Sequence, residues 1–204
     1  VSLHRLVLWR HGETDYNLAG RLQGHLDSAL TDNGRQQALV AAEAVGEFEP
    51  DVAVSSDLRR ARSTVSALGE VSGIPAALDK RLRETNVGDW QGLSGAEIEH
   101  SWPGAMTLWR SDATWAPPGG ESRVEVAERA LSVVTELDHS HHGTALLCTH
   151  GGLITSLTAR LLDLPVRLWP SIGGVGNCHW VVLVRRDRHD HTWRLMTYNH
   201  GVTN

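Results

Sequence analysis

Apolar residues along this chain recur at two periods. Leu3, Leu6, Val7, Leu8 and Trp9 make a run of strand length that stops at Arg10-His11-Gly12. Thr31 reads as an N-cap, and Ala38, Ala41, Ala42, Val45 and Phe48 follow at helical spacing until Pro50. Asp51-Val52-Ala53-Val54 reads as a second buried strand, continued by Ser55-Ser56-Asp57. Asp57 is expected to cap a helix that runs to Val71 and stops at Gly73. A short extended piece covers 76–78. A helix over 122–137 places Val124, Ala127, Leu131 and Val134 on one face. An apolar strand over 144–148 ends at Thr149-His150-Gly151-Gly152, and a helix follows over 153–162. Two closing strands, 180–184 and 192–197, are joined by a polar tip at 185–191.

Between the second and third long helices the periodicity fails. Residues 88–120 hold four tryptophans, three of the seven prolines and six of the 20 glycines. They read as loop and short helices, a cap inserted over one end of the domain at about 88–121. The remaining order of strands and helices predicts an α/β fold of three layers, α/β/α, around a mixed but mainly parallel sheet. No linker or internal repeat divides residues 1–204, so a single domain is expected.

Composition narrows the function. The 204 residues are 41% hydrophobic and 21% charged, a globular balance. Net charge is −5, which argues against a nucleic-acid partner, because phosphate backbones call for a basic face. No apolar run approaches the roughly 20 residues of a membrane span. The first residues read as strand rather than as a leader. Cys148 and Cys178 lie in apolar surroundings, which fits a reducing cytoplasm better than a disulfide framework. There are 12 histidines, and 18 arginines against one lysine, Lys80. The arginine surplus is most simply a codon effect, but individual guanidiniums still matter. His139-Ser140-His141-His142 and His189-Asp190-His191 have metal-like density; at loop tips with no converging partners they read as solvated, and no metal or cofactor is expected.

Candidate chemistry sits where strands end. In open α/β sheets, sites form beyond the carboxyl ends of strands. Three ends here are polar, and two deliver a histidine followed by glycine. The helix after each strand is expected to aim free N–H groups at the same place, which suits an anion. Arg10 lies beside His11, and Arg59, Arg60 and Arg62 lie near the start of the second helix. Two arginines and two histidines repel one another unless something with more than one negative charge sits among them. A phosphate monoester does, and guanidinium matches its oxygens. A histidine there can act as a nucleophile. Glu84, in Leu82-Arg83-Glu84, is the best-placed acid for a leaving alkoxide, although it can equally pair with Arg83 or Arg81.

Leu8-Trp9-Arg10-His11-Gly12-Glu13-Thr14-Asp15-Tyr16-Asn17 resembles the signature of the histidine phosphatase superfamily, the phosphoglycerate-mutase-like proteins. Leu30 to Ala38, Ser55 to Thr64, Leu82-Arg83-Glu84 and Thr149-His150-Gly151-Gly152 resemble its other motifs in the same order. The resemblance implies that His11 is the phosphorylated nucleophile and that Arg10, Arg60 and His150 bind the phosphoryl group. It also implies that Glu84 donates and later accepts the proton, that Asn17, Gln23 and Gly151 contact the phosphate or its ester, and that no metal is used.

The family contains mutases and phosphatases. Mutases carry a lysine after the glutamate motif and an adjacent arginine pair in the cap. Gly88-Asp89-Trp90-Gln91-Gly92-Leu93-Ser94 has no lysine, and Arg110 and Arg123 stand singly. Hydrolysis is therefore expected. Residues 85–93, 113–124 and 173–177 resemble the branch acting on a glucosylated phosphoglycerate. Trp90 and Trp115 are candidates for stacking on a sugar, or for packing beneath the cap. Arg123 or Arg110 can meet a glycerate carboxylate, or pair with Glu121 or Asp112. The rival readings are a broad acid phosphatase, a phosphoglycerate mutase, and an inactive phosphate-binding regulator. The expected partner is a small phosphorylated molecule; a homodimer is left open.

Overall fold

The structure is a computed structural model that describes residues 2–185 and 192–202. Its first half carries β1 (Leu3–Arg10), α1 (Asp15–Leu18), α2 (Asp32–Gly46), β2 (Val52–Ser55), α3 (Arg59–Ser72) and β3 (Ala76–Leu78). The cap contributes α4 (Gly95–Ser101) and α5 (Ala105–Ser111). Then come α6 (Arg123–Ser140), β4 (Gly143–Thr149), α7 (Gly151–Leu161), β5 (Trp180–Val184) and β6 (Arg194–His200).

The six strands form one sheet in the order β3-β2-β4-β1-β5-β6. β1 to β4 run parallel; β5 is antiparallel to β1 and to β6. Successive side chains of a strand point to opposite faces. Leu6 and Leu8 of β1 therefore join one apolar cluster under α6 and α7, and Val7 and Trp9 join another under α2 and α3. Because both faces are covered, β1 and β4 read as continuous apolar runs rather than as alternating ones. The expected three-layer α/β/α fold is the one observed.

Pairing fixes where the strand ends meet. β4 lies between β1 and β2, with Arg10 opposite Thr149 and Ser55 opposite Cys148. Thus Arg10-His11, Ser55-Ser56 and Thr149-His150 emerge side by side at one sheet edge.

Three local expectations need correction. Asp57 does not cap α3: its carboxylate takes Arg83 through two bonds of 2.7 and 2.6 Å, and a bidentate charged pair outweighs one cap bond. Asp27 instead accepts from the Arg59 N–H at 2.6 Å. The buried face of α6 is Val126, Ala127, Ala130, Val133, Val134 and Leu137, so Val124 and Leu131 sit at its margin. His139 and Ser140 belong to the last turn of α6, not to a loop; His189-Asp190-His191 lies outside the described residues.

The cap has its own small core. Trp90 is wholly buried among Val87, Ile98, Ala105 and Met106. Its ring meets those of Trp115, Trp109 and Trp102 at centroid distances of 5.5, 5.9 and 6.3 Å.

Candidate active site

A cavity of about 250 Å³ opens at the converging strand ends. Arg10, His11, Asn17, Gln23, Arg60, Glu84 and Gly151 all line it, seven of the residues singled out from sequence.

His11 is buried, and its Nδ1 lies 2.7 Å from the Gly12 carbonyl. A carbonyl only accepts, so Nδ1 carries the hydrogen and Nε2 keeps its lone pair. No described residue hydrogen-bonds Nε2. Burial first, then Arg60 and Arg10, hold the His11 pKa well below its ordinary value. The imidazole is therefore held in its neutral form.

The two guanidiniums are held by carbonyls, not by carboxylates. Arg10 donates from Nη1 to the Val175 carbonyl at 2.6 Å, and its buried Nε has no partner. Arg60 is 1% exposed and donates to the carbonyls of Leu26 and Gly24, each at 2.8 Å. Those bonds leave one N–H on each Nη of Arg60 for the cavity. Neither arginine makes an ion pair among the described residues, whereas Arg81, Arg83 and Arg129 do. Burial lowers the pKa of both, that of Arg60 to about 10. Unpaired buried cations are costly, and an anion seated between them removes the cost.

His150 is wholly buried beside His11 and Arg60. Its Nδ1 accepts from Arg60 Nε at 3.2 Å, and its Nε2 lies 2.8 Å from Ser56 Oγ. Both nitrogens thus have protein partners, one of them Arg60. His150 can accept the Arg60 bond only while Nδ1 is unprotonated, and burial, then Arg60, hold its pKa well below the ordinary value.

The expectation of free helix N–H groups also needs correction. Glu84 takes them: Oε2 accepts from Gly152 N at 3.1 Å, and Oε1 from Leu153 N at 3.1 Å and Thr85 N at 2.8 Å. Gly151 N, ahead of them in the helix, has no protein acceptor among the described residues. Oε1 is saturated by two donors; Oε2, with one, retains a site for a proton.

Asn17 ends a capping box with Thr14. Its Oδ1 accepts from Thr14 N at 3.1 Å and from Asn177 Nδ2 at 3.2 Å, which leaves its amide NH₂ for the cavity. Asn177 also donates to the His11 carbonyl at 3.1 Å. Asn177, Thr64, Ser56 and Val175 hold the His11 carbonyl, Gly12, His150 and Arg10 in place, and none was given a role from sequence. Their contacts reach across 52 to 166 residues, and no local pattern reports such pairing.

Beyond the cavity lies a second chamber of about 370 Å³, sharing Thr85, Trp109, Gly151, Gly152 and Gly174 with the first. Arg110 and Arg123 line it, and the Arg123 guanidinium lies 5.4 Å from the Trp109 ring centre. Neither Trp90 nor Trp115 lines either chamber; both pack the cap core, the second of the two readings open for them. Trp109 is the indole that faces both chambers.

A buried histidine with an open Nε2 lies between unpaired arginines at the strand ends of this sheet, with a carboxylate lining the same cavity, an arrangement that fits a histidine phosphatase. Residues 6–201 match the histidine phosphatase superfamily (branch 1), and the chain belongs to that family. A glucosyl-3-phosphoglycerate phosphatase of Mycolicibacterium vanbaalenii is 49% identical over 215 residues, 98% of this chain and 96% of that protein. A metal-independent phosphoserine phosphatase of Arabidopsis thaliana is 37% identical, over 76% of this chain and 68% of that protein. The solved structure of a mycobacterial glucosyl-3-phosphoglycerate phosphatase complexed with VO3 superposes with a TM-score of 0.92 at 50% identity, covering 96% of this chain and 99% of that one.

Proposed function

We propose that the protein hydrolyses glucosyl-3-phosphoglycerate to glucosylglycerate and phosphate through a phosphohistidine at His11. The observation that carries this reading is the pair of buried, carboxylate-free guanidiniums beside a neutral histidine with an open Nε2. Arg10 and Arg60 hold the phosphoryl oxygens, helped by the Asn17 amide, Gln23 and the Gly151 N–H. His11 Nε2 attacks phosphorus, and the P–O bond to the sugar acid breaks. Glu84 gives its proton to the departing alkoxide. A water then attacks the phosphohistidine, Glu84 takes a proton from it, the P–N bond breaks, and phosphate leaves. His150 keeps Arg60 in register.

The substrate assignment is supported by the 49% identical relative's name and by the second chamber. Glu121 is committed to Arg129, and Asp112 accepts from Thr114. Arg123 and Arg110 thus have no carboxylate partner among the described residues and are free for a glycerate carboxylate. Trp109 offers an apolar ring face to a hexose. Residence in the cytoplasm is part of the same proposal, supported by two free buried cysteines. No helix among the described residues is long and apolar enough to cross a membrane.

The test is a trapping experiment. Brief reaction with labelled substrate and quenching in base should leave the label on His11, with full turnover in EDTA. A label elsewhere, or activity abolished by EDTA and restored by a divalent cation, contradicts the mechanism.

A further inference from the structure

We infer that Arg129, a residue outside both chambers, is a positioning residue for Glu84. The inference rests on Glu84 being the proton donor. Glu84 sits on an irregular segment, after a short 3-10 turn at Lys80–Leu82, so α7 holds its carboxylate but no sheet or helix ladder fixes its backbone.

Arg129 supplies what the segment lacks. From α6 it donates Nη1 to the carbonyls of Arg81 at 2.6 Å and Arg83 at 2.7 Å, and Nη2 to the carbonyl of Glu84 at 2.8 Å. Its remaining donors meet Glu121: Nη2 to Oε2 at 3.0 Å and Nε to Oε1 at 2.8 Å. All five guanidinium N–H groups are thereby used. Glu121 continues the frame, because its Oε2 also accepts from Asn86 N at 2.8 Å. One ion pair thus holds the backbone from Arg81 to Asn86, with Glu84 between. His25 Nε2, 2.8 Å from the same Glu84 carbonyl, is the only further side chain on that oxygen among the described residues.

The shape of the group decides which residue can do this. Guanidinium is a planar fork that reaches several carbonyls at fixed angles; an ammonium is a point charge with three rotating donors. Lysine at this position keeps the charge and part of the Glu121 pairing but cannot hold three carbonyls at once. Released, the segment swings the Glu84 carboxylate off the N-terminus of α7. Misplacement by about 1 Å can cost about 100-fold in rate. Substrate affinity, set by Arg10, Arg60 and the outer chamber, is left intact.

The experiment compares two esters on each protein by single-turnover phosphorylation of His11. Glucosyl-3-phosphoglycerate expels an alkoxide that needs a proton; p-nitrophenyl phosphate expels a phenolate that does not. Arg129→Lys should slow the first ester about 10- to 100-fold more than the second, with KM for both near that of the parent. Because both esters are read on one preparation, the ratio is independent of how much of the variant folds. Arg129→Lys combined with Glu84→Gln should show no selective loss beyond that of Glu84→Gln. If Glu84→Gln discriminates between the esters and Arg129→Lys does not, Arg129 is only structural and the inference fails. If Glu84→Gln itself slows both equally, the proton-donor reading fails and takes the inference with it; the Glu84 arm alone tells the two failures apart.

Discussion

His11 and His150 face each other with ring centres 5.1 Å apart, both buried and both held neutral. Neutrality serves the proposed chemistry, since a protonated His11 would have no lone pair to attack with. It also ties stability to pH. Below about pH 6.5 an unfolded histidine binds a proton that these two refuse in the native state. The unfolded chain then carries more protons, so stability falls as pH falls, by about 1.4 kcal/mol per pH unit for each histidine. The loss continues until the lowered native pKa is reached; at neutral pH and above the pair contributes no slope. Urea unfolding without phosphate, compared between about pH 5 and about pH 7.5, should show this loss, and His11→Asn should remove roughly half of it. An unchanged slope in the variant means that His11 is protonated in the native protein. Phosphate must be absent because an anion bound only to the native state adds stability of its own.

At the level of elements, the strand ends bring the groups together and α7 holds the Glu84 carboxylate. A Cβ built on Gly152 lies 2.6 Å from Glu84 Oε1, so the bare backbone here is what lets the carboxylate dock on the helix. Gly152→Ala should displace Glu84, the far end of a flexible side chain, while leaving α7 as stable or up to about 1 kcal/mol more stable, because Ala is the better helix former. Activity on glucosyl-3-phosphoglycerate should fall about 10-fold or more, with thermal melting unchanged or raised. Equal activity in the variant means that the docked position of Glu84 is not the one used in the reaction. The sheet, the order of its helices and seven cavity residues were legible in the sequence, because strand runs that halt at Arg-His-Gly or His-Gly-Gly carry the information locally. The use of the α7 N–H groups by Glu84 was not, nor was the bond from Asp27 to α3. Each joins segments far apart in sequence, and an open helix end and an occupied one have the same local pattern. Arg129 was hidden for the same reason: on a helical wheel it is a polar residue beside an apolar stripe, and only the packed fold shows carbonyls in front of it. Among the tryptophans, composition identified an aromatic cap, but which indole faces the cavity depends on how α4 and α5 fold over Trp90.

Across the whole molecule, charge is distributed against its net sign. The chain carries −5, yet Arg10, Arg21 and Arg60 line the inner cavity and Arg110 and Arg123 the outer chamber. Arg21 is committed to Glu97, which ties the segment after α1 to α4 of the cap. The remaining four have no carboxylate partner among the described residues. A concave site lined by cations focuses potential on an anionic ligand even when the protein is negative overall. The division between chambers makes the anions separable under the proposed function: the inner pair would meet phosphate in any ester, whereas Arg123 would meet only a substrate long enough to reach the cap. Arg123 also starts half-buried against Trp109, and burial holds its pKa below the ordinary value. A hydrogen bond to a charged group is worth about 1.5–3 kcal/mol, which corresponds to about 10- to 150-fold in affinity. Arg123→Ala should therefore raise KM for glucosyl-3-phosphoglycerate by about 10-fold or more and leave kcat/KM for p-nitrophenyl phosphate within about twofold. Arg110→Ala, on the more exposed wall, serves as the comparison for loss of general positive charge. If Arg123→Ala lowers kcat/KM equally for both esters, the outer chamber does not read the carboxylate, and the protein selects its substrate by phosphate alone.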